Sequence, residues 1–294
     1  MNIKVNHLDV HFGKQKALQD VTFEITEKKI YGLLGRNGAG KTSLLSTLAS
    51  FREPTAGSVT INGETPFENA KIMQQIAFLY DKDYQDESDN VMNMLQGIQH
   101  YRPYFDMDYA EYLVERFKLD RTKPIKKFSK GMQSAVNVIS GLASRTPITI
   151  FDEVYLGMDA PAREIFYKEL LNDQENHPRV IILSTHLVSE MDYLFDEVII
   201  LKNGAFLLQE DYDSLTSKGA RITGNKELVE EFVQPKVQLN EERLGNTTSV
   251  MIYGELTDGE RKTALDKGIE VGPVSLHDLF IHLTEEENAD EKLS

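Results

Sequence analysis

Gly35-Arg36-Asn37-Gly38-Ala39-Gly40-Lys41-Thr42 matches the pattern G-x-x-x-x-G-K-[ST] at every fixed position, and its reading decides the fold. The apolar run Ile30, Tyr31, Leu33, Leu34 ahead of it reads as a buried strand, and residues 42–49 behind it read as a helix. The motif therefore sits at the strand-to-helix turn that it requires. Glycines at 35, 38 and 40 let the backbone curl until successive N–H groups and the positive end of the helix dipole face an anion. Lys41 is then placed to reach the terminal phosphates of a nucleotide, and the Thr42 hydroxyl to ligate magnesium. An ordinary glycine-rich turn is the bland alternative, and both flanks argue against it.

The 294-residue chain has room for one large domain with an appendage or for two domains, and 40% hydrophobic content supplies a core. No apolar stretch is long enough to span a bilayer, and Met1-Asn2-Ile3-Lys4 lacks the basic-then-apolar layout of a signal peptide. A compact protein of the cytoplasm is expected. The absence of cysteine excludes disulfides and thiolate metal sites and agrees with a reducing compartment. With 32 basic against 47 acidic residues, net −15, the chain is a poor partner for nucleic acid. Only a local basic patch is left for such a role.

Residues 3–12 and 21–25 alternate apolar and polar and read as the start of a half-exposed antiparallel sheet. Phe12 ends the first of these strands, from where a ring can stack on a base; taken alone, a single Phe is more often core or edge. After the loop helix, residues 53–57 read as a turn, 58–61 as a short strand and Asn62-Gly63 as a hairpin signal. Ile76 to Tyr80 reads as a strand that runs into the acids Asp81, Asp83, Asp86, Glu87 and Asp89.

From about Asn90 the period turns helical, with Val91, Met94, Leu95 and Ile98, then Tyr109, Tyr112, Leu113 and Phe117, forming two stripes. Arg121, Lys123, Lys126, Lys127 and Lys130 make the dense basic patch, either a solvated loop or a set of cations near phosphates. Ser129 reads as the N-cap of a third helix through Val136, Ile139 and Ala143.

The strand at 148–151 delivers Asp152-Glu153 at its carboxyl end, the edge where ligands sit in an open α/β sheet. A second strand at 180–183 delivers Ser184-Thr185-His186, and a third at 198–201 ends at the turn Lys202-Asn203-Gly204. With a helix at 162–171 among them, these strands argue for a parallel sheet with crossovers. Past about Thr216, helices at 226–233, 258–267 and near 276–283 alternate with strands at 249–253 and 269–271, as in a small appended α+β unit. Glu285, Glu286, Glu287, Asp290 and Glu291 read as a frayed, solvated tail. The expected domains are 1–215, with a helical subdomain at about 87–145, and 216–294.

In order along the chain come the phosphate loop, Phe128-Ser129-Lys130-Gly131-Met132-Gln133, Asp152-Glu153, Leu156-Gly157-Met158-Asp159 and His186. This set resembles the ATP-binding cassette of ABC transporters over about residues 3–210. The resemblance implies an α/β fold: a phosphate-loop cassette with a mixed-sheet core, an antiparallel β subdomain and a helical subdomain, followed here by the small α+β extension. It also implies two cassettes meeting head to tail, each ATP lying between the phosphate loop of one and the signature motif of the other. Carried over by position, Phe12 stacks on adenine, and Gly35, Asn37 and the run Gly38, Ala39, Gly40, Lys41, Thr42, Ser43 cradle the phosphates. Asp152 holds magnesium through water beside Thr42, Glu153 polarises the attacking water, and His186 contacts the γ-phosphate. Ser129 and Gly131 donate to the opposite subunit's ATP, and Asp159 lies across the seam.

The chain departs from the family in three places. The usual signature Leu-Ser-Gly-Gly-Gln is Phe128-Ser129-Lys130-Gly131-Met132, which keeps the serine hydroxyl and the second glycine and adds Lys130 as a cation near the partner's γ-phosphate. Asp152-Glu153-Val154-Tyr155 replaces the commoner Asp-Glu-Pro-Thr. Asp81 stands where the family carries a magnesium-sensing glutamine; it offers oxygen to the metal but adds a negative charge and donates no hydrogen bond.

The expected function is the ATP-hydrolysing subunit of a bacterial ABC transporter, with ATP and magnesium as cofactors. It would drive a separate membrane permease docked on the helical insertion and the loop from Asp81 to Tyr104, with Tyr84, Tyr101, Tyr104 and Phe105 either lining that groove or packing the core. The cassette would pair with itself or with a second cassette and would touch the membrane only through the permease. Export of peptides, antimicrobials or lipids is the expectation by analogy. A soluble or regulatory cassette ATPase outside transport is the alternative.

Overall fold

Period-two side chains fold the first residues of the chain. The computed structural model describes residues 1–285, and the part of the acidic tail from Glu286 to Glu291 lies outside the described residues. β1 (Ile3–Phe12) turns Ile3, Val5, Leu8 and Val10 inward, and β2 (Gln15–Ile25) does the same with Leu18, Val21, Phe23 and Ile25. β3 (Ile30–Leu34), buried at every residue, belongs to a second sheet and leads into α1 (Lys41–Leu48). β4 (Ala56–Ile61) returns to pair antiparallel with β1, completing the order β2-β1-β4.

After α2 (Ala70–Met73), β5 (Ile76–Tyr80) precedes three helices: α3 (Val91–Tyr101), α4 (Met107–Arg116) and α5 (Lys130–Ser144). Asn90, Asp106 and Ser129 cap them, each side chain accepting from the backbone N–H three residues on. α4 buries Ala110, Leu113 and Val114; of the stripe read from sequence Leu113 is buried, Tyr109 and Phe117 are half-buried and Tyr112 is exposed. The reason is polar: the Tyr112 hydroxyl donates to Glu169 at 3.0 Å, and its ring stacks on Tyr109 at the edge of the packed face.

β6 (Ile148–Asp152), α6 (Ala160–Asn176), β7 (Val180–Thr185), α7 (Val188–Met191), β8 (Glu197–Lys202) and β9 (Ala205–Asp211) follow. The six-stranded sheet runs β5-β6-β7-β3-β8-β9, and its first five strands pair in parallel. Parallel strands are covered on both faces, so β6, β7 and β8 are largely apolar and buried nearly throughout. Asn203 and Gly204, at φ 51° and 81°, make the tight two-residue turn that brings β9 back beside β8 and makes the sheet mixed. The parallel strands share one carboxyl edge, which places Gly35, Asp81, Glu153 and His186 at the same rim.

The described residues pack as two compact units, Met1–His186 with Tyr193–Gln209, and Leu187–Asp192 with residues 210–285. In the second, α8 (Tyr212–Ser217), β10 (Gly219–Asn225), α9 (Lys226–Val233), β11 (Val237–Leu244), β12 (Thr247–Tyr253), α10 (Asp258–Asp266), β13 (Glu270–Pro273) and α11 (Leu276–Thr284) follow in order. Its antiparallel sheet, β11-β12-β10-β13, packs around Ile222, Val229, Val250, Ile252 and Ile269, an α+β unit. Among the described residues no helix is long and apolar enough to cross a membrane.

One carboxylate in this second unit carries a pH dependence. Lys236 Nζ pairs with Glu260, which also accepts from the backbone N–H and hydroxyl of Thr257 in a capping box at the start of α10. The Lys236 ammonium first, then the two Thr257 donors, hold the Glu260 carboxyl down to about 2. A carboxylate depressed by folding stabilises above its ordinary value of 4.5 and loses that contribution as pH falls toward 2. Glu260→Gln is therefore expected to lower the melting temperature at pH 7, with the gap from the parent narrowing below pH 4.5. Melts at pH 7 and pH 3 check this; a gap of equal size at both contradicts it.

Candidate nucleotide site

The backbone leaves β3 at Leu34 and turns through Gly38 (φ 83°) and Gly40 (φ 100°) into α1. At Gly40 a Cβ would meet the Ala17 carbonyl oxygen at 2.6 Å, so both conformation and space demand glycine there. Asn37 through Ser43 line an open cavity of about 640 Å³, which Phe12 and the Gln15–Ala17 stretch flank on one side and Glu153 on another.

Lys41 is 6% exposed; its Nζ donates to the Gly35 carbonyl oxygen at 2.7 Å and lies 3.5 Å from Glu153 Oε1. The same Oε1 lies 2.9 Å from His186 Nδ1. One carboxylate oxygen thus joins three residues that stand far apart in sequence: Lys41 at the start of α1, and Glu153 and His186 directly after the neighbouring parallel strands β6 and β7. Glu153 takes φ 52°, a left-handed conformation that costs a non-glycine residue about 1–2 kcal/mol. Strain of this kind persists where the surrounding structure enforces it.

Asp152 is buried, and its carboxylate accepts from the Ser184 hydroxyl opposite it in the β6–β7 register. Thr42 is exposed at the start of α1. A hydroxyl and a carboxylate are hard oxygen donors, the set with which magnesium binds when nucleotide phosphates complete its shell, so the residues present fit that ion. Phe12 is half-exposed at the mouth of the cavity, and the guanidinium of Arg52 lies 3.9 Å from its ring centroid. A cation therefore occupies one face of that ring.

Ser129, Lys130, Gly131 and Asp159 are brought together elsewhere, around a second cavity of about 590 Å³ that shares no lining residue with the first. Two of these side chains also hold helix starts: Ser129 Oγ accepts from Met132 N at 3.3 Å, and Asp159 from Ala162 N at 3.0 Å. The signature helix and the 156–158 loop touch glycine to glycine. A Cβ on Gly131 would lie 2.7 Å from the Gly157 carbonyl oxygen, and one on Gly157 would lie 2.7 Å from Ser134 Oγ. Gly131→Ala is expected to destabilise the chain by about 1–3 kcal/mol, because its first clash is with backbone. Urea denaturation measures it, and a midpoint equal to the parent's contradicts the close packing.

Asp81 does not line the first cavity; its carboxylate pairs with Lys130 Nζ. In the basic patch, Arg121 is neutralised by Glu111 and Glu115 at 3.2 and 3.0 Å, and the Lys123 ammonium lies over the Phe128 ring. Of the four aromatics read as groove or core, Tyr84 and Phe105 are buried, whereas Tyr101 and Tyr104 are exposed.

Ser184 and Tyr155 escaped the reading of the sequence as site residues. Ser184 was within reach of it, since Asp152 and Ser184 each directly follow the strands read at 148–151 and 180–183, and parallel pairing sets them side by side. Tyr155, whose buried hydroxyl bonds the Thr185 hydroxyl one residue before His186, carries no such signal.

Residues 18–155 match the family pattern described as ABC transporter. The chain is 31% identical over 227 residues to the uncharacterized ABC transporter ATP-binding protein MJ1023 of Methanocaldococcus jannaschii, across 75% of this chain and 81% of that one. It is 26% identical to the bacitracin transport ATP-binding protein BcrA of Bacillus licheniformis, across 96% of each. Among solved structures, an ATP binding subunit of an ABC transporter aligns with a TM-score of 0.63 at 25% identity, covering 73% of this chain and 92% of that one. The likeness to that archaeal relative, at 31% identity across three quarters of the chain, places it in a family, and the chain belongs to the ABC transporter ATP-binding proteins.

Proposed function

We propose that this chain hydrolyses ATP at the cavity of the phosphate loop and thereby powers a separate membrane permease that exports peptides, antimicrobials or lipids. The observation that carries the catalytic part is the position of Glu153 Oε1, 3.5 Å from Lys41 Nζ and 2.9 Å from His186 Nδ1. A carboxylate held there orients a water toward the terminal phosphate and accepts its proton.

In this reading Gly35 and Asn37 shape the loop, and the backbone N–H groups from Gly38 to Ser43 hold the phosphates together with Lys41. Thr42 and Asp152 hold magnesium, which when bound neutralises charge on the phosphate oxygens. His186 faces the γ-phosphate from beside Glu153, and the open face of Phe12 receives adenine. Ser129, Gly131 and Asp159, on their separate cavity, meet the ATP of a second cassette, here taken to be another copy of the chain. The permease docks on the helical layer of α3 and α4, which holds the protein at the inner face of the cell membrane.

The transport class rests on the whole-length likeness to a bacitracin transport protein, which extends through the second unit. Deleting the gene is expected to sensitise its host to at least one peptide or lipid-directed antimicrobial, with resistance restored by the wild-type gene but not by Glu153→Gln. Unchanged resistance across such a panel contradicts the export assignment.

A further inference from the structure

The loop that follows β5 is tied to α5 on both sides of Asp81. Before it, Asn137 Nδ2 donates to the Tyr80 carbonyl oxygen at 3.1 Å; after it, the Tyr84 hydroxyl donates to Asn137 Oδ1 at 2.5 Å. Tyr84 is 1% and Asn137 5% exposed, and burial pushes the Tyr84 phenol well above its ordinary range. Two buried hydrogen bonds to one residue of the helix thus fix the span in which Asp81 lies. Asp81 in turn pairs with Lys130 at the first position of that helix. The side chains of the pair are 60% and 52% exposed, so the contact is weak in water and open to exchange.

Asp81 and Lys130 are also two of the positions at which the chain departs from the family: an acid replaces the glutamine after β5, and a lysine replaces a glycine of the signature. Either change alone would add an uncompensated charge at the site; here each answers the other. Lys130 further lines the cavity of Ser129, Gly131 and Asp159, which shares no residue with the phosphate-loop cavity. In the pairing proposed above, the anion that reaches Lys130 through that cavity is the phosphate of ATP held by a second copy of the chain.

We propose that Asp81 and Lys130 form an electrostatic latch: Asp81 holds the Lys130 ammonium until the terminal phosphate of ATP bound to a second copy of this chain takes it over. The inference rests on the reading of the chain as an ATPase that pairs across its nucleotide. A terminal phosphate carries about two negative charges against one on Asp81, so it wins the ammonium when the seam closes. Release is felt in the first copy's own site. Tyr80 lies opposite Asp152 in the β5–β6 register, so the freed Asp81 carboxylate stands one residue beyond the strand position of the carboxylate assigned to magnesium. In this way the nucleotide of one copy changes the charge beside the metal position of the other.

A double-mutant cycle tests the latch, with Glu153→Gln as the parent, ATP and magnesium present, and the dimer dissociation constant read by analytical ultracentrifugation. Asp81→Asn is expected to tighten the dimer about threefold at each of two seams, about tenfold in all, because Lys130 no longer has to be drawn from a carboxylate. Lys130→Gln is expected to weaken it. Adding Asp81→Asn to Lys130→Gln is expected to change nothing. An equal effect of Asp81→Asn with and without Lys130→Gln, or no tightening at all, overturns the latch. Failure to dimerise with ATP bound also overturns the exchange between copies. Phosphate release by the wild-type chain, measured alongside, reports separately on the ATPase reading.

Discussion

Glu153→Gln is expected to lower ATP turnover by about 10²–10⁴-fold, the contribution typical of a positioned general base, while ATP binding is retained. The amide keeps the volume and one acceptor oxygen of the carboxylate but cannot accept a proton. Its loss of charge also removes the anion 3.5 Å from Lys41 Nζ, which frees that ammonium of one competitor for phosphate. Phosphate release and nucleotide titration, done on the same preparation, separate the two effects. If ATP affinity fell in step with turnover, Glu153 would be a structural prop of the cavity and not its base.

Lys41→Ala is expected to act on the other quantity, weakening ATP binding by about 10–100-fold through the loss of a charge-assisted hydrogen bond. The lysine is buried, its amine pinned by the Gly35 carbonyl oxygen at 2.7 Å, so it arrives at the phosphates already ordered. Its removal also leaves Glu153 with no ammonium beside it, and an unscreened carboxylate near the phosphate positions repels them. Isothermal titration with ATP measures the loss. Undiminished affinity would place the nucleotide somewhere other than this loop.

What could be read in the sequence follows from how each element is stabilised. β6, β7 and β8 are legible because strands covered on both faces need near-continuous apolar runs, and the phosphate loop because φ values of 83° and 100° demand glycine. β11 is not legible. Its Gln238, Asn240, Glu241, Glu242 and Arg243 carry no apolar period, and the strand is held by backbone pairing to β12. α4 misleads because tyrosine counts as apolar in a helical stripe, whereas the Tyr112 hydroxyl seeks the Glu169 carboxylate on α6.

In the site, strand ends locate Glu153 and His186, but no spacing rule says that one oxygen of Glu153 serves both Lys41 and His186. Asp81 and Lys130, 49 residues apart, look like two unrelated departures until the fold brings them together. Arg52 over Phe12 is invisible for the same reason: contacts between side chains of distant elements have no periodicity to betray them.

The most direct test of the account is the solution mass of Glu153→Gln measured with ATP and magnesium and again with ADP. With hydrolysis blocked, the closed state is trapped by mass action. The account predicts twice the chain mass with ATP and the single chain mass with ADP, because in the proposed pairing Ser129, Lys130 and Gly131 would reach a terminal phosphate that only ATP carries. A chain that binds ATP and remains a monomer, or one that dimerises equally with ADP, would contradict a site completed across two cassettes by the γ-phosphate.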